Sequence, residues 1–259
     1  MTTHPADKPA SFAKLFDHSI VRPDATRDEV ERAGATAAQL GSATLTVQPY
    51  YIEFGRTLLH GSDVLLGSVV GFPQGNETPE IKAFQASAVL DLGAQEIDMV
   101  MNIPALKNRD ERVFIRDIEG VVRAAGDGVV VKVITENCLL SDEEKRRACD
   151  WIARAGAHFV KTSTAYSSGG ATLDDVRLMF DAVAGRCLVK AAGGVRTMDE
   201  VLAYLRAGAR RFGSTRTDLF VREYNALEPD RRRAFAEFLQ SDGDPLSRGS
   251  PRSPMPRPA

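Results

Sequence analysis

The sequence predicts an α/β fold, a closed (β/α)8 barrel of the TIM type formed by a single domain. Short runs rich in Val, Ile and Leu alternate eight times with amphipathic stretches, and such runs are typical of parallel strands buried on both faces. The length of 259 residues fits one barrel, which takes about 250 residues. An open doubly wound sheet is the alternative, and regular repetition at this length favours the barrel.

Turn and capping residues place the boundaries of these elements. Thr26 and Ser141 suit helix N-caps, Pro79 suits a first helical turn, and Gly41 and Gly93 suit helix ends. The predicted strands cover residues 14–21, 44–49, 65–73, 96–102, 129–136, 158–164, 187–194 and 210–215. The predicted helices cover residues 26–41, 51–61, 78–93, 109–126, 141–156, 172–185, 197–209 and 218–227.

The ends of the chain and its overall composition limit the classes of function. Residues 1–10 and the Pro-, Ser- and Arg-rich residues 241–259 are predicted to be disordered, which leaves residues 11–240 for the barrel. The net charge of −2 gives no reason to expect nucleic acid or a membrane surface as a partner. Because apolar runs of about 18 residues, a secretory signal and paired cysteines are all missing, we expect a cytoplasmic protein.

Three lysines lie within predicted strands, where a buried charge is unfavourable. Lys132, Lys161 and Lys190 are spaced 29 residues apart, and they are three of only eight lysines in the chain. Each follows a valine, so an equivalent register would bring all three amines into one mouth of the barrel. Crowded cations favour a neutral amine on one of them, and a neutral lysine can attack a carbonyl to form an imine. The spacing does not select which lysine is the nucleophile.

Polar residues at other strand ends can assist this chemistry. Asp98 can relay protons through water beside an imine, and it can also neutralise a lysine. Asp17 is a further acid at a strand end, and Asn102 can orient a substrate hydroxyl. Glu136 is expected to pair with a cation and is given no catalytic role. Because no set of His, Asp and Glu has metal-ligand spacing, we predict no metal and no cofactor.

The loops after strands seven and eight have the pattern of an anion site. Each strand ends in glycine before a helix start, in the segments AAGGVRT (residues 191–197) and RRFGSTRT (residues 210–217). Backbone N–H groups and helix N-termini at these two loops of a barrel often bind phosphate. Ordinary tight turns are the alternative. The predicted phosphate-binding residues are Gly193, Gly194, Val195, Arg196, Gly213, Ser214 and Thr215.

Together these motifs resemble the deoxyribose-phosphate aldolase family over roughly residues 12 to 220. The segments that carry the resemblance are FDHSI, VVGFPQG, EIDMVMN, VKVITE, GAHFVKTST, VKAAGGVR and GARRFGST, and the pairing of KTST with KAAGGVR is highly specific. The resemblance implies a metal-free class I aldolase that reversibly cleaves 2-deoxy-D-ribose 5-phosphate to acetaldehyde and D-glyceraldehyde 3-phosphate. It also implies a role in deoxyribonucleotide catabolism and a homodimer or homotetramer.

The same resemblance assigns roles by motif. It implies that Lys161 forms the imine, that Lys190 lowers the pKa of this amine, and that Asp98 relays protons. The substrate-binding residues that we expect are Asp17, Ser19, Asn102 and Lys132.

Several departures from the family pattern concern the site. Ala165 and Tyr166 follow KTST, where family members usually have a glycine, so a methyl and a phenol lie near the predicted phosphate. Thr46 stands where the family often has a cysteine, and Arg216 adds a cation beside the phosphate loop. Two alternatives stay open: a related class I aldolase for a different or non-phosphorylated aldehyde, and a sugar-phosphate-binding barrel without catalysis.

Overall fold

The predicted barrel is confirmed by the structure, a computed structural model that describes residues 12–233 and 235. Eight parallel strands pair in chain order, and the last strand closes the ring against the first. Both predicted disordered ends and the predicted domain limits, residues 11 and 240, lie outside the described residues. The strands are β1 (Phe16–Ile20), β2 (Thr44–Val47), β3 (Leu65–Val70), β4 (Glu96–Val100), β5 (Val130–Ile134), β6 (Phe159–Lys161), β7 (Leu188–Ala192) and β8 (Ala209–Ser214).

Helices connect the strands outside the ring, and their predicted N-caps at Thr26 and Ser141 are confirmed as capping boxes. A short helix over Ile103–Lys107 is absent from the sequence prediction, and the side chain of Asn102 caps it. No helix within the described residues combines the length and the apolar character that crossing a bilayer requires. The helices are α1 (Arg27–Leu40), α2 (Ile52–Leu58), α3 (Pro79–Asp91), α4 (Ile103–Lys107), α5 (Glu111–Ala125), α6 (Asp142–Arg154), α7 (Leu173–Val183), α8 (Met198–Arg206) and α9 (Thr217–Asn225).

Strand β6 is shorter than the strand predicted over residues 158–164. The hydroxyl of Thr162 donates to the Ala192 carbonyl at 3.0 Å and accepts from the Ala192 N–H at 3.1 Å. This side chain therefore takes up the backbone groups of β7 that a longer β6 would pair with. The chain after Lys161 is consequently free to turn over the mouth of the barrel.

The alternation of side chains along the strands separates an apolar layer from a charged interior. Phe16 faces outward and stacks on Phe212 and on Phe220 of α9, with ring centroids 5.4 Å apart in each pair. Asp98 of β4 and Lys132 of β5 pair in register and face inward, where both are buried. Burial of the apolar layer between strands and helices stabilises the fold, while the interior carries the groups that can do chemistry.

A buried ion pair outside the barrel fixes the carboxyl end of β4. Lys82 of α3 donates to Asp117 Oδ2 of α5 at 2.7 Å and to the Val100 carbonyl at 2.9 Å. Neither side chain of the pair has any exposed surface. The pair thus joins two helices to the strand that positions Asp98.

Replacing Lys82 by Met should lower the free energy of unfolding by about 3–5 kcal/mol, because Asp117 would be left buried without its partner. The double variant Lys82→Met/Asp117→Leu should recover most of this loss, since no unpaired charge remains. Urea unfolding followed by circular dichroism measures both values. A single variant as stable as the parent chain would contradict this role of the pair.

Candidate active site

Lys161 lies at the end of β6, and its amine reaches the mouth of the barrel. The residue is 7% exposed and lines a cavity of about 370 Å³. Its Nζ donates to Asp98 Oδ2 at 2.6 Å. Lys132 and Lys190 have no exposed surface and do not line this cavity. Of the three strand lysines, Lys161 is therefore the one that an entering molecule can contact.

The other two strand lysines lie deeper in the barrel, among carboxylates. Lys190 Nζ donates to Asp17 Oδ2 at 2.5 Å and to Asp98 Oδ2 at 2.6 Å. Lys132 Nζ lies 3.0 Å from Asp98 Oδ1, 2.5 Å from Glu96 Oε2 and 3.5 Å from Asp17 Oδ2. Asp98 contacts both of these amines as well as the one at the mouth, so it is the centre of the site.

The three lysines do not share one level, contrary to the equivalent register expected from their sequence context. Lys161 pairs with Lys190 across β6 and β7, but its partner on β5 is Ile134. Lys132 precedes Ile134 by two residues, so it faces the same interior one layer deeper. Closing a sheet into a barrel staggers its strands, and this stagger cannot be read from the even spacing of the lysines.

The surroundings of Lys161 favour its neutral form. Burial lowers the pKa of Lys161 to about 8; Asp98 opposes this shift, and the Lys190 and Lys132 cations support it. Burial alone would raise the pKa of Asp98, but the three lysines outweigh burial and hold that pKa well below its usual value. At pH 7 Asp98 is therefore ionised, and on the order of a tenth of Lys161 is neutral, far more than for a lysine with a pKa of about 10.4.

The cavity above Lys161 has two unlike sides. Backbone and hydroxyl groups at the ends of β7 and β8 form one side. The rings of Phe72 and Tyr166 form the other, and their centroids lie 5.5 Å apart in an edge-to-face contact. The lining residues outside the predicted site set are Val21, Arg22, Thr46, Val69, Phe72, Thr164, Ala165, Tyr166, Ala192 and Arg216.

The loops after β7 and β8 leave backbone groups open toward the cavity. Gly193 and Gly194 have φ angles of 79° and 80°, a region that favours glycine. A Cβ atom on Gly194 would meet nothing within 4 Å, so backbone conformation rather than space disfavours a side chain there. The predicted phosphate-binding residues that line the cavity are Gly193, Gly194, Val195, Gly213, Ser214 and Thr215.

A buried carboxylate holds the turn that carries Tyr166. Glu136 accepts hydrogen bonds from the hydroxyl of Thr164 and, at 3.3 Å, from its backbone N–H. The same hydroxyl oxygen accepts from the Tyr166 N–H at 3.0 Å. Ala165, between them, has a φ of 69°, a conformation that costs an L-residue roughly 1 kcal/mol. The expected cation partner of Glu136 is thus replaced by Thr164, because the chain turns at Glu136 (φ 52°) toward the loop after β6.

The remaining predicted residues occupy different positions. Ser19 lines the cavity, whereas Asp17 and Lys132 are buried in the ion network below it. Asn102 uses its side-chain oxygen to cap α4, and the backbone N–H of Arg196 donates to the first turn of α8; neither residue lines the cavity. Within residues 12–233 and 235, no group of three or more His, Cys, Asp or Glu side chains is arranged to hold a metal ion.

Two charged members of the network are missing from the sequence prediction. Arg211 of β8 donates to Asp17 Oδ1 at 2.6 Å and lies 3.6 Å from Glu96 Oε2. The sequence contains a signal for each of them. Glu96 precedes Asp98 by two residues and so shares its face of the strand, and Arg211 is a charge inside an apolar run, as the three lysines are.

A barrel with an accessible, partly neutral amine beside an ionised carboxylate has the arrangement of a lysine-dependent aldolase. Comparison with known proteins identifies the family. Residues 12–215 match the model of the DeoC/LacD family aldolases, and the chain belongs to this family.

Individual relatives cover most of the chain. It is 42% identical to a deoxyribose-phosphate aldolase of Listeria innocua over 220 residues, which is 85% of this chain and 99% of the relative. It is 44% identical to one of Lysinibacillus sphaericus over 205 residues, 79% of this chain and 92% of the relative. Among solved structures, the tetrameric deoxyribose phosphate aldolase of Aeropyrum pernix is similar with a TM-score of 0.76 at 30% identity, covering 83% of this chain and 92% of that one.

Lys161 should react with an amine-selective reagent at lower pH than an ordinary lysine. Trace labelling with acetic anhydride across a pH series, followed by peptide mass spectrometry, should give half-maximal labelling of Lys161 near pH 8. The variant Lys161→Met should lack this signal while the other lysine-containing peptides keep theirs. Labelling of Lys161 that rises only near pH 10 would contradict the effect of burial derived above.

Proposed function

We propose that this chain catalyses the reversible cleavage of 2-deoxy-D-ribose 5-phosphate to acetaldehyde and D-glyceraldehyde 3-phosphate through a Schiff base on Lys161. The observation that carries the proposal is the position of this amine, which lines the cavity and lies 2.6 Å from Asp98 Oδ2. Relatives at 42–44% identity that bear the name of this activity support it.

In the proposed reaction, neutral Lys161 attacks the C1 aldehyde of the open-chain sugar. The carbinolamine oxygen takes a proton from solvent at the mouth and leaves as water, and a protonated imine forms. The imine is the electron sink for the next step. Asp98, through a water molecule, takes the proton of the C3 hydroxyl, and the C2–C3 bond breaks to release D-glyceraldehyde 3-phosphate. The remaining enamine is protonated at C2, and hydrolysis of its imine releases acetaldehyde.

Binding of the sugar phosphate would use the cavity at the mouth of the barrel and the ion network below it. Gly193, Gly194, Ser214 and Thr215 offer N–H and hydroxyl donors on one side of the cavity, which suits a phosphate. Arg216 lines the same side and adds a positive charge. We assign Ser19 to the sugar hydroxyls, and Asp17 and Lys132 to the network that fixes the reacting groups from below.

The biological setting is proposed from the same reading. A cytoplasmic enzyme of deoxyribonucleotide breakdown would act on small sugar phosphates and aldehydes, without nucleic acid or membrane partners. We propose a homodimer or homotetramer; the Aeropyrum pernix relative is described as tetrameric.

Incubation with acetaldehyde and sodium borohydride should fix a two-carbon adduct on Lys161 and abolish turnover. The variant Lys161→Arg keeps the charge but cannot form an imine. It should therefore form no adduct, and its kcat should fall by several orders of magnitude. Peptide mapping identifies the modified lysine.

Each contrary outcome of this trap has a defined meaning. An adduct on Lys132 alone would overturn the assignment of the nucleophile. Absence of any adduct would favour a binding barrel without catalysis. Full activity in Lys161→Arg would exclude the imine mechanism.

The aromatic side of the cavity favours one second candidate, a class I aldolase for a different or non-phosphorylated aldehyde. Tyr166 is 41% exposed, and its ring packs on Phe72 beside the predicted phosphate loops. Such a surface binds apolar carbon better than a dianion. The two candidates share Lys161 and its chemistry and differ only in the tail of the substrate.

The ratio of kcat/KM for 2-deoxyribose 5-phosphate to that for 2-deoxyribose separates these candidates. The main proposal expects a ratio of at least roughly 10–100, because each charge-assisted contact to the phosphate contributes about 1.5–3 kcal/mol. Arg216→Gln should lower the value for the phosphorylated sugar alone.

A near-equal ratio in the parent chain would instead favour the second candidate. In that case Tyr166→Ala should reduce kcat/KM for the unphosphorylated sugar. The control Tyr50→Ala removes a tyrosine that is 85% exposed and outside the cavity, so it should change neither value.

A further inference from the structure

Among the described residues, seven charged side chains share the interior of the barrel, and each is at most 7% exposed. Four of them are cations and three are carboxylates, so the cluster carries one surplus positive charge when every member is ionised. A surplus charge in a buried site is unfavourable, and loss of one proton removes it. The members of this interior charge cluster are Asp17, Glu96, Asp98, Lys132, Lys161, Lys190 and Arg211.

We propose that Arg211 and Glu96, which lie 3.6 Å apart in the barrel interior, set the charge count that makes Lys161 the neutral amine. Both act as positioning residues, since neither lines the cavity that Lys161 reaches. The proposal deepens the function given above and rests on Lys161 being the nucleophile.

Arg211 holds a positive charge that the cluster cannot release, because a guanidinium stays protonated in proteins. It donates to Asp17 Oδ1 at 2.6 Å and lies 3.6 Å from Glu96 Oε2. Arg211 thereby partly neutralises the carboxylates that would otherwise stabilise the ammonium groups of Lys132 and Lys190. Because Arg211 keeps its own proton, the proton whose loss removes the surplus charge must come from a lysine.

The contacts of the three lysines decide which of them loses that proton. Carboxylates of Asp17, Glu96 and Asp98 lie within 3.5 Å of Lys132 Nζ. Lys190 Nζ has two carboxylate partners and Lys161 Nζ has one, Asp98. Because Lys161 has the fewest, removing its proton sacrifices the least attraction.

Within the part of the chain that the structure describes, the other strands add no further charge to the interior. Strand β2 contributes Thr44 and Thr46, which hydrogen-bond to each other at 2.8 Å, and β3 contributes Gly67 and Val69. His158 lies near Lys132 and Glu96, but its Nδ1 accepts from the Val131 N–H at 3.0 Å.

Two titratable side chains near the cluster, His158 and Glu136, are engaged by other parts of the chain. Burial lowers the pKa of His158, so this ring is neutral around pH 7 and above. The Glu136 carboxylate, which follows β5, accepts a hydrogen bond from the hydroxyl of Thr164 in the loop after β6. The charge count of the interior is therefore that of the seven named residues.

Opposite changes of this count should shift the titration of Lys161 in opposite directions. Arg211→Met removes the surplus positive charge, so Lys161 should keep its proton up to a pH about one unit higher. This is the effect expected of one unit charge at about 10 Å, the distance across two strands. Glu96→Gln raises the surplus from one to two, so Lys161 should lose its proton at a lower pH. The double variant Glu96→Gln/Arg211→Met again has one surplus charge and should titrate like the parent chain.

Two readouts on the full chain test these shifts. The pH dependence of acetic anhydride labelling at Lys161 reports its protonation directly and does not require turnover. The acid limb of kcat/KM for 2-deoxyribose 5-phosphate should move with it. Shifts in labelling without any cleavage activity would support this inference and refute the proposed function, whereas activity with an unmoved labelling curve would do the reverse.

A matched control removes a cation that lies outside the cluster. Lys145 pairs with Asp175 at 2.7 Å, on α6 and α7, so Lys145→Met should leave the titration of Lys161 unchanged. If Arg211→Met does not fold, the remaining two variants still test the mechanism: Glu96→Gln should titrate at a lower pH than the parent chain, and the double variant should titrate like it. Single variants that shift in the same direction, or a double variant that does not return to the parent titration, would overturn the charge-count mechanism.

Discussion

Burial of more cations than carboxylates in the barrel interior is the constraint on which the rest of the structure depends. An unbalanced buried charge destabilises the folded chain. The cluster is tolerated because its members contact one another closely, as Asp98 does with three lysines, and because burial of the apolar core around it stabilises the folded chain enough to offset its cost. The same burial that costs stability lowers the pKa of Lys161 to about 8. Reactivity and instability here have one physical cause.

Closure of the barrel is what brings these charges together. Asp17 and Lys190 are 173 residues apart in the chain, yet their side chains hydrogen-bond. Asp17 reaches Arg211 because β8 pairs with β1. An open sheet of the same strands would leave β1 and β8 at opposite edges. Lys190 would then lose Asp17, its second carboxylate partner beside Asp98. The ring is therefore a requirement of the chemistry as well as of the fold.

Sequence periodicity predicts this fold well because strand and helix patterns are local, and the N-caps at Thr26 and Ser141 follow from single residues. It also predicts that Asp17, Asp98 and the three strand lysines face inward, but it misses Glu96 and Arg211. The deeper level of Lys132 depends on strand stagger, and the capping role of Asn102 depends on a helix that follows it. Neither is encoded in spacing along the chain. The contact of Phe72 with Tyr166 joins two loops whose paths only tertiary packing decides.

Reactivity and substrate selection belong to two different layers of the site. Each interior charge contacts two or more others or, for Lys161, the central Asp98, so a change in one alters the proton affinity of the rest. Residues at the rim, such as Tyr166 and Arg216, lie on loops and are partly exposed, and changes there leave the interior charge count intact. The two layers meet in the turn after β6, where Thr162 binds β7 and Thr164 binds Glu136. This turn fixes the aromatic side of the cavity relative to Lys161, so the rim can set which tail is accepted while the interior sets how readily the amine reacts.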